Sequence, residues 1–292
     1  MPLAIPNIPI REYAPPQSPV KYLFVAGTLG DVIPALGNAQ ALIRSTAMNE
    51  GRLIYFGPDP TIAPWLRIQP LVREVIDVRS PGPVSRIPTD PSKRADWVPF
   101  LAQVAGLRLK AGDVWPCHVD FTLREHLPVH RPELITAPDF TGWSKEVLGE
   151  VERSESLTLF QPRSETSCLW EGHWPYWNEA AQLLDRTDGT LLECGKGDFQ
   201  PLSSGVNLIN QTPMMFHLLA LADRCAAVVT TSNALSHYAA CKGLPTVVCC
   251  NTTHRRPGQF FTRFAKGERS EIVEHWEGMD RFAAAWEKVK PC

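Results

Sequence analysis

The chain has 292 residues, of which 44% are hydrophobic and 21% are charged, and its formal net charge at pH 7 is −2. This composition is typical of a globular protein, and the length predicts about two domains, each able to bury its own core. The near-neutral charge excludes an overall electrostatic attraction to nucleic acid or to an anionic membrane, but not a local basic patch. No apolar run approaches the roughly 20 residues that cross a bilayer, so we expect no integral membrane association.

The N-terminal residues 1–20 are rich in proline and lack a basic start followed by a continuous apolar run, so they do not resemble a secretory signal. The eight cysteines form no CxxC pair. This favours reduced, mostly buried thiols over a disulfide framework. We therefore expect a cytoplasmic protein.

The first half of the chain predicts alternating strands and helices. The predicted elements are a strand at 22–26, a helix at 33–44, strands at 53–56 and 74–78 around a short helix, a helix at 97–105 and a strand at 133–137. Between residues 80 and 94 proline and serine are dense, which predicts a loop that could border a substrate. The opening is therefore of the βαβαβ type.

The second half repeats the alternation of strand and helix five times. The predicted strands are 157–160, 190–194, 206–210, 226–231 and 246–250, and the predicted helices are 177–186, 213–223, 234–242 and a C-terminal segment from 271. Such alternation favours a parallel, doubly wound sheet. Ligands of open α/β sheets bind at the carboxyl ends of the strands, so the turns that follow the strands at 22–26 and 226–231 are candidate binding sites. The chain contains no GxGxxG or GxxxxGK[ST] motif.

Three segments resemble the two-domain GT-B glycosyltransferases, specifically the ADP-heptose:lipopolysaccharide heptosyltransferase family. They read GTLGDVIPAL at Gly27–Leu36, LFQPRSETSCLWEGHWPYWNEAAQLL at Leu159–Leu184, and INQTPMMFHLLALADRCAAVVTTSNALSHYAACKGLPTVVCC at Ile209–Cys250. The resemblance implies two Rossmann-like domains facing a central cleft. We expect an acceptor-binding domain at 1–150, a nucleotide-sugar-binding domain at 151–270, and a C-terminal helix at 271–292 that packs across both.

The first of these segments contains the candidate catalytic base, Asp31. A carboxylate in a turn at the carboxyl end of a strand can take the proton of an acceptor hydroxyl, and the resemblance implies this role. Asp31 could equally cap the following helix. Thr28 and Gly30, in the same turn, are the candidate acceptor-binding residues.

The helix that follows the strand at 226–231 is the candidate site for the donor diphosphate. Free amide groups and the partial positive charge of a helix N-terminus suit an anion, and Ser232, Asn233 and Ala234 would supply those amides. The same residues are ordinary helix-capping residues. His237 matches the family histidine and could contact the phosphate, although a histidine at this position is also a common core residue.

Four further residues are donor-binding candidates. Arg163 and Ser164 follow the strand at 157–160, where an arginine can bind phosphate oxygens in a bidentate manner. Lys196 lies between two glycines in a predicted flexible loop, and Thr212 is predicted to cap the next helix. Each has an alternative as a solvated loop or capping residue.

Two aromatic features have a structural and a functional interpretation. The chain has nine tryptophans, and Trp170, Trp174 and Trp177 cluster near the predicted donor site, where they could stack on a sugar or belong to a core. The segment His254–Arg269 combines five Arg or Lys with three Phe, and could bind a polyanion such as DNA, clamp a diphosphate, or be a solvated loop.

The resemblance implies an inverting glycosyltransferase with a nucleotide-sugar as co-substrate, a saccharide acceptor, no other cofactor and no bound metal. One alternative is a bacteriophage-type DNA glycosyltransferase that acts on a hydroxylated base. Another is a GT-B epimerase or hydrolase. An alternative of a different class is a non-catalytic nucleotide-sugar-binding protein, because Ser232–Ala234 stand where the family has Asp-Ser/Thr-Gly.

Overall fold

The computed structural model describes residues 20–45, 50–79, 94–117, 130–149, 156–163, 174–187, 189–212, 214–250, 269–274 and 276–291. The chain forms two compact units, residues 1–133 and 134–292. Ser164, Trp170, the predicted loop at 80–93 and the basic segment up to residue 268 lie outside the described residues. In the part that is described, no helix is long and apolar enough to cross a membrane.

The first unit contains a four-stranded, fully parallel sheet in the order β3-β2-β1-β4. Its elements are β1 (Tyr22–Ala26), α1 (Leu29–Ser45), β2 (Arg52–Gly57), α2 (Ile62–Arg67), β3 (Glu74–Arg79), α3 (Arg94–Ala105), a 3-10 turn (Ala111–Asp113) and β4 (Val114–Pro116). The apolar runs of β1 and β2 are buried, as expected for strands that are covered on both faces. One cluster of this core contains Phe24, Ile54, Val98 and Leu101.

The second unit contains six parallel strands in the order β10-β9-β8-β5-β6-β7. Its elements are α4 (Pro138–Leu148), β5 (Leu157–Gln161), α5 (Trp177–Leu184), β6 (Thr190–Glu193), β7 (Val206–Asn207), α6 (Met215–Ala222), β8 (Ala227–Thr231), α7 (Ala234–Lys242), β9 (Thr246–Cys250), β10 (Ser270–Glu274) and α8 (Met279–Val289). This is the doubly wound order, which reverses between β5 and β8. The predicted alternation of strands and helices is therefore confirmed.

The boundary between the two units lies after Glu133, earlier than the predicted boundary at 150. The cause is α4, whose aromatic side chains pack on α6 of the second unit. The ring of Phe140 stacks on that of Phe216 with centroids 5.6 Å apart, and the rings of Trp143 and His217 meet edge to face at 4.4 Å. The compact units therefore place α4 with the second half of the chain, whereas the predicted boundary at 150 places it with the first.

The strand predicted at 133–137 does not form. Side chains bind its backbone instead of a neighbouring strand. The Glu133 N–H donates to Gln40 Oε1 at 2.8 Å, Gln40 Nε2 donates to the Glu133 carbonyl at 3.1 Å, and Lys242 Nζ donates to the Leu134 carbonyl at 3.3 Å. These contacts satisfy the backbone groups of the segment without a sheet ladder.

The C-terminal segment begins as a strand, whereas a helix was predicted from 271. Residues Ser270–Glu274 pair in parallel with β9, which buries Val273 completely. The helix starts only after Gly278, and Phe282 and Trp286 on its apolar face pack into the core of the second unit. The predicted packing of this segment across both domains stays a prediction.

Candidate functional site

In the first unit, the order of the strands reverses between β1 and β4, and the turn after β1 lies at this point. The helix α1 begins at Leu29, four residues before the predicted start, so Asp31 lies in its first turn. Gly27 has a φ of 112°, a left-handed conformation that favours glycine. The sharp turn from β1 into α1 therefore depends on Gly27.

The side chain of Asp31 caps the start of α1 by binding Thr28. The N–H and the hydroxyl of Thr28 donate to Asp31 Oδ2 at 3.0 and 3.1 Å, and the N–H of Asp31 donates to the Thr28 carbonyl at 3.0 Å. Both hydrogen bonds from Thr28 engage Oδ2, so Oδ1 takes no part in the cap. A cap and a catalytic base are therefore compatible in this carboxylate.

Gly27 also fixes the position of this carboxylate sterically. A Cβ atom at Gly27 would lie 2.4 Å from Asp31 Oδ2 and 2.6 Å from Asp31 Cβ. The side chain of Asp31 therefore lies directly against the Cα of Gly27. The acceptor-binding candidates Thr28 and Gly30 lie in this same turn, Thr28 exposed and Gly30 partly buried, and their predicted contacts with an acceptor stay predictions.

In the second unit, the order of the strands reverses between β5 and β8, and polar side chains meet at the carboxyl ends of these two strands. Gln161 Oε1 accepts hydrogen bonds from Thr230 Oγ1 at 3.0 Å and from Asn233 Nδ2 at 2.9 Å. This is the edge at which a doubly wound sheet binds its ligand. The sequence interpretation missed Gln161, although a polar residue at the end of the run LTLFQ was a visible signal.

Asn233 is the N-cap of α7. Its Oδ1 accepts from the N–H groups of Leu235 at 2.8 Å and Ser236 at 3.3 Å, and its own N–H donates to Ser236 Oγ at 3.0 Å. Of the three residues predicted to offer amides to a phosphate, Asn233 thus uses its amide and its side chain within the cap. The backbone N–H groups of Ser232 and Ala234 are therefore the remaining candidates for the predicted phosphate contact.

Two polar atoms at this edge are buried and have no partner among the described residues, namely Arg163 Nε and Thr231 Oγ1. The guanidinium of Arg163 lies 4.7 Å from the ring centroid of Phe199, a cation–π contact. Buried polar atoms normally have a hydrogen-bond partner, so their positions are consistent with a polar ligand at this edge. His237 is buried on α7, and its predicted phosphate contact stays a prediction.

The loop that carries Lys196 is held in place, in contrast to the flexible loop predicted from its glycines. Asn210 binds both the N–H and the carbonyl of Gly197, each at 2.9 Å. The fully buried Glu193 accepts hydrogen bonds from the backbone N–H groups of Leu202 and Ser203 at 2.8 Å. Lys196 is consequently presented, exposed, on an ordered loop.

Two other interpretations change with the structure. Thr212 does not cap a helix, because α6 begins at Met215 and its N-cap is Met214. Trp174 and Trp177 are buried in the core of the second unit, where Trp174 contacts Phe282 with ring centroids 5.5 Å apart. These two tryptophans are core residues and do not offer a face to a sugar.

The described residues contain no group of three His, Cys, Asp or Glu placed to hold a metal ion. The cysteines among them are free thiols, and most are buried. Burial raises the pKa of the Cys117 thiol well above its usual range. The Cys117 thiol is thus a neutral core group rather than a nucleophile.

Two solved structures are similar to this chain over almost its whole length. The ADP-heptose LPS heptosyltransferase II of E. coli has a TM-score of 0.60 and 14% identity, and the match covers 92% of this chain and 98% of that one. A glycosyl transferase of family 9 from Veillonella parvula has a TM-score of 0.60 and 16% identity, with 93% and 90% covered. No protein-family model and no curated protein sequence matches the chain. The chain therefore has the GT-B fold of these glycosyltransferases, which confirms at the level of the fold the resemblance predicted from its sequence.

Proposed function

We propose that this protein is an inverting glycosyltransferase that moves a sugar from a nucleotide-sugar donor to an acceptor hydroxyl. The observation that carries the proposal is the carboxylate of Asp31, which Thr28 holds through Oδ2 just past the carboxyl end of β1. The fold supports it, because both similar structures are glycosyltransferases. In this proposal the first unit binds the acceptor and the second unit binds the donor.

In the proposed reaction Asp31 acts as the general base. Its carboxylate takes the proton of the acceptor hydroxyl while the hydroxyl oxygen attacks the anomeric carbon of the donor. The bond from that carbon to the diphosphate breaks, and its electron pair leaves with the nucleoside diphosphate. Proton transfer by a positioned group contributes about 10²–10⁴-fold to a rate, so the contribution expected of Asp31 lies in that range.

The leaving diphosphate needs positive charge and hydrogen-bond donors around it. We assign these to Arg163, to the backbone N–H groups of Ser232 and Ala234 at the start of α7, and to the hydroxyl of Thr231. A helix N-terminus favours an anion, and arginine binds phosphate oxygens in a bidentate manner. Lys196, His237 and Ser164 complete the proposed donor-binding set, in which Thr212 borders the base or the ribose.

The acceptor in this proposal is a saccharide, as the E. coli structure is described as a heptosyltransferase of LPS. The reaction requires no metal and no cofactor beyond the nucleotide-sugar, so we expect turnover to persist in the presence of a chelator. A cytoplasmic location is part of the same proposal. A hydroxylated DNA base is the alternative acceptor, to be tested beside saccharides.

The test compares two carboxylates with nearly the same local geometry. Asp113 caps its own turn as Asp31 does, because its Oδ2 accepts from the N–H of the residue three positions earlier, Lys110, at 2.9 Å. Asp113 directly precedes β4 and so lies at the amino edge of the sheet, opposite to the binding edge. Asp113→Asn is therefore a control for Asp31→Asn, since both remove a negative charge and weaken a cap; Asp113→Asn also removes an ion pair with Lys21 at 3.2 Å.

The donor is first identified by titrating the protein with ADP-, UDP-, GDP- and CMP-sugars in a thermal-shift assay, where a ligand at 100 times its Kd adds about 2.7 kcal/mol of stability. Turnover is then measured with saccharide and DNA acceptors, and NMR of the product gives its anomeric configuration. We expect Asp31→Asn to lower kcat by about 10²-fold or more while donor affinity stays, and Asp113→Asn to leave kcat unchanged.

Three outcomes would contradict the proposal. Equal turnover of Asp31→Asn and the natural protein would remove Asp31 as the base. Retention of the anomeric configuration would exclude an inverting reaction. Donor binding without turnover on either class of acceptor would favour a non-catalytic binding protein.

A further inference from the structure

We propose that Tyr55 is a positioning residue for Asp31, an inference that rests on the proposed function. The hydroxyl of Tyr55 fixes the peptide of Gly27, and Gly27 in turn fixes the carboxylate of Asp31. Tyr55 has no contact with a substrate in this proposal. It acts on the reaction through the shape of the turn.

The first step is the contact between Tyr55 and Gly27. Tyr55 lies on β2 opposite Val25 of β1, and its side chain is fully buried. Its hydroxyl lies 3.2 Å from the carbonyl oxygen of Gly27 and 3.4 Å from that of Asp59, and we assign its single hydrogen to the shorter contact, with Gly27. Burial, followed by the charge of Asp59, raises the pKa of Tyr55 far above its usual value. The hydroxyl therefore remains a donor throughout the working pH range.

The second step is the confinement of the Gly27 residue. Its N–H donates to the carbonyl of Phe56 at 3.0 Å, while its carbonyl accepts from Tyr55. Both backbone polar groups of Gly27 are thus held by β2. A second glycine, Gly57 at the end of β2, makes this possible, because a Cβ there would lie 2.1 Å from the Tyr55 hydroxyl and 2.6 Å from the Gly27 carbonyl oxygen.

Gly27 in turn supports the side chain of Asp31. The carboxylate lies against the Cα of Gly27, since a Cβ there would be 2.4 Å from Asp31 Oδ2. A rotation of the Gly27 peptide would therefore move the surface on which the carboxylate rests and the N–H of Thr28 that binds it. A misplacement of about 1 Å in a reacting group costs about 10²-fold in rate.

The test is Tyr55→Phe, which removes the hydroxyl and keeps the ring in the core. We expect kcat to fall by about 10- to 100-fold, with the donor Kd and the KM for the acceptor unchanged. The matched control is Tyr22→Phe. Tyr22 is the first residue of the neighbouring strand β1 and lies at the amino edge of the sheet. This control should keep its turnover.

A second measurement reads the position of Asp31 without relying on turnover. In protein labelled with carboxyl-¹³C aspartate, the Asp31 signal is the one that disappears in Asp31→Asn. We expect Tyr55→Phe to shift or broaden this signal and to leave that of Asp113 unchanged, whereas Tyr22→Phe should change neither. In the Asp31→Asn background, Tyr55→Phe should cause no further loss of turnover, because coupled residues are not additive.

The outcomes separate this inference from the proposed function. An unchanged Asp31 signal in Tyr55→Phe, or an equal loss of turnover with and without Asp31, would overturn the positioning role and leave the base role of Asp31 standing. Full turnover of Asp31→Asn would instead overturn the proposed function. In that case a shifted Asp31 signal would still establish the mechanical link from Tyr55 to the carboxylate.

Discussion

The cap of α7 provides a test that separates folding from donor binding at one residue. Asn233→Ala removes the side-chain oxygen that binds the N–H groups of Leu235 and Ser236. Loss of such an N-cap costs about 1 kcal/mol, within a range of roughly 0.5–2. Gln161 Oε1 loses its bond from Asn233 but keeps that from Thr230 at 3.0 Å, so no buried acceptor is left without a partner. The cost should therefore stay near that of the cap alone.

Asn233→Asp is the opposite perturbation. A carboxylate retains the cap and is favoured by the helix dipole, but its charge repels a diphosphate bound at the same helix end. We expect the free energy of unfolding of the second unit to fall by about 1 kcal/mol in Asn233→Ala. In Asn233→Asp the retained cap limits the fall, although the second carboxylate oxygen replaces the Nδ2 group that now donates to Gln161 Oε1. Donor affinity should change in the reverse pattern, staying in the alanine variant and weakening by about tenfold or more in the aspartate variant.

Urea denaturation followed by circular dichroism measures the stability term, and calorimetric titration with the donor measures the affinity. For a domain of this size, 1 kcal/mol corresponds to a Tm shift of about 2–4 °C. Unchanged donor affinity in Asn233→Asp would refute phosphate binding at α7. Unchanged stability in Asn233→Ala would refute the cap.

Three further predictions concern the second unit. Glu193→Gln should lower the free energy of unfolding of this unit by about 1–2 kcal/mol, because a carboxamide oxygen in place of Glu193 Oε2 binds the N–H groups of Leu202 and Ser203 without the carboxylate charge. The exposed Glu179→Gln is the control in denaturant titrations, and equal stability of the two variants would contradict the prediction. Phe282→Ala should cost about 3–5 kcal/mol, measured in the same way, since its ring is fully buried between α8 and the sheet. Burial lowers the pKa of His217. As the pH falls below about 6.5, the unfolded chain therefore binds a proton before the folded protein does, and the free energy of unfolding should decrease. His217→Asn should flatten this part of a plot of Tm against pH, and an unaltered slope would rule out His217 as the source of the decrease.

The elements that sequence reasoning placed well are those whose signals are local. The helix α7 begins and ends where it was predicted because Asn233 caps its start and Gly243 adopts a φ of 67° just past its end. The strands β1 and β9 were also placed within their observed bounds, since short apolar runs between polar turns leave few alternatives. In these elements the residues at each end are sufficient to predict the bounds.

The errors occur where distant residues decide the structure. The segment Ser270–Glu274 is a strand because β9 pairs with it, and its five residues alone do not distinguish a strand from a helix. The helix α4 belongs to the second unit because of aromatic contacts with residues more than 70 positions away. Neither partner is visible in the local pattern.

The residues of the candidate site show the same difference between local signals and contacts with distant residues. Asp31 and Asn233 could be predicted because each lies at the start of a helix that follows a strand after a short turn. The hydrogen bond from the Gly197 N–H to the Asn210 side chain joins residues 13 positions apart, and Asn210 has a φ of 60°. No local sequence motif predicts this contact. Tyr55 was hidden within an apolar strand, where its hydroxyl gave no sign that it reaches Gly27.

The tether at the start of the second unit determines where this protein can be divided for separate study. Thr136 binds Asp223 and Tyr238 through its hydroxyl, and Tyr238 lies fully buried on α7. A fragment that begins at Leu134 keeps this tether and α4. One that begins at residue 151 would expose the rings of Phe216 and His217 to water, and an investigator who chose that boundary would mistake a damaged surface for an intrinsically unstable domain.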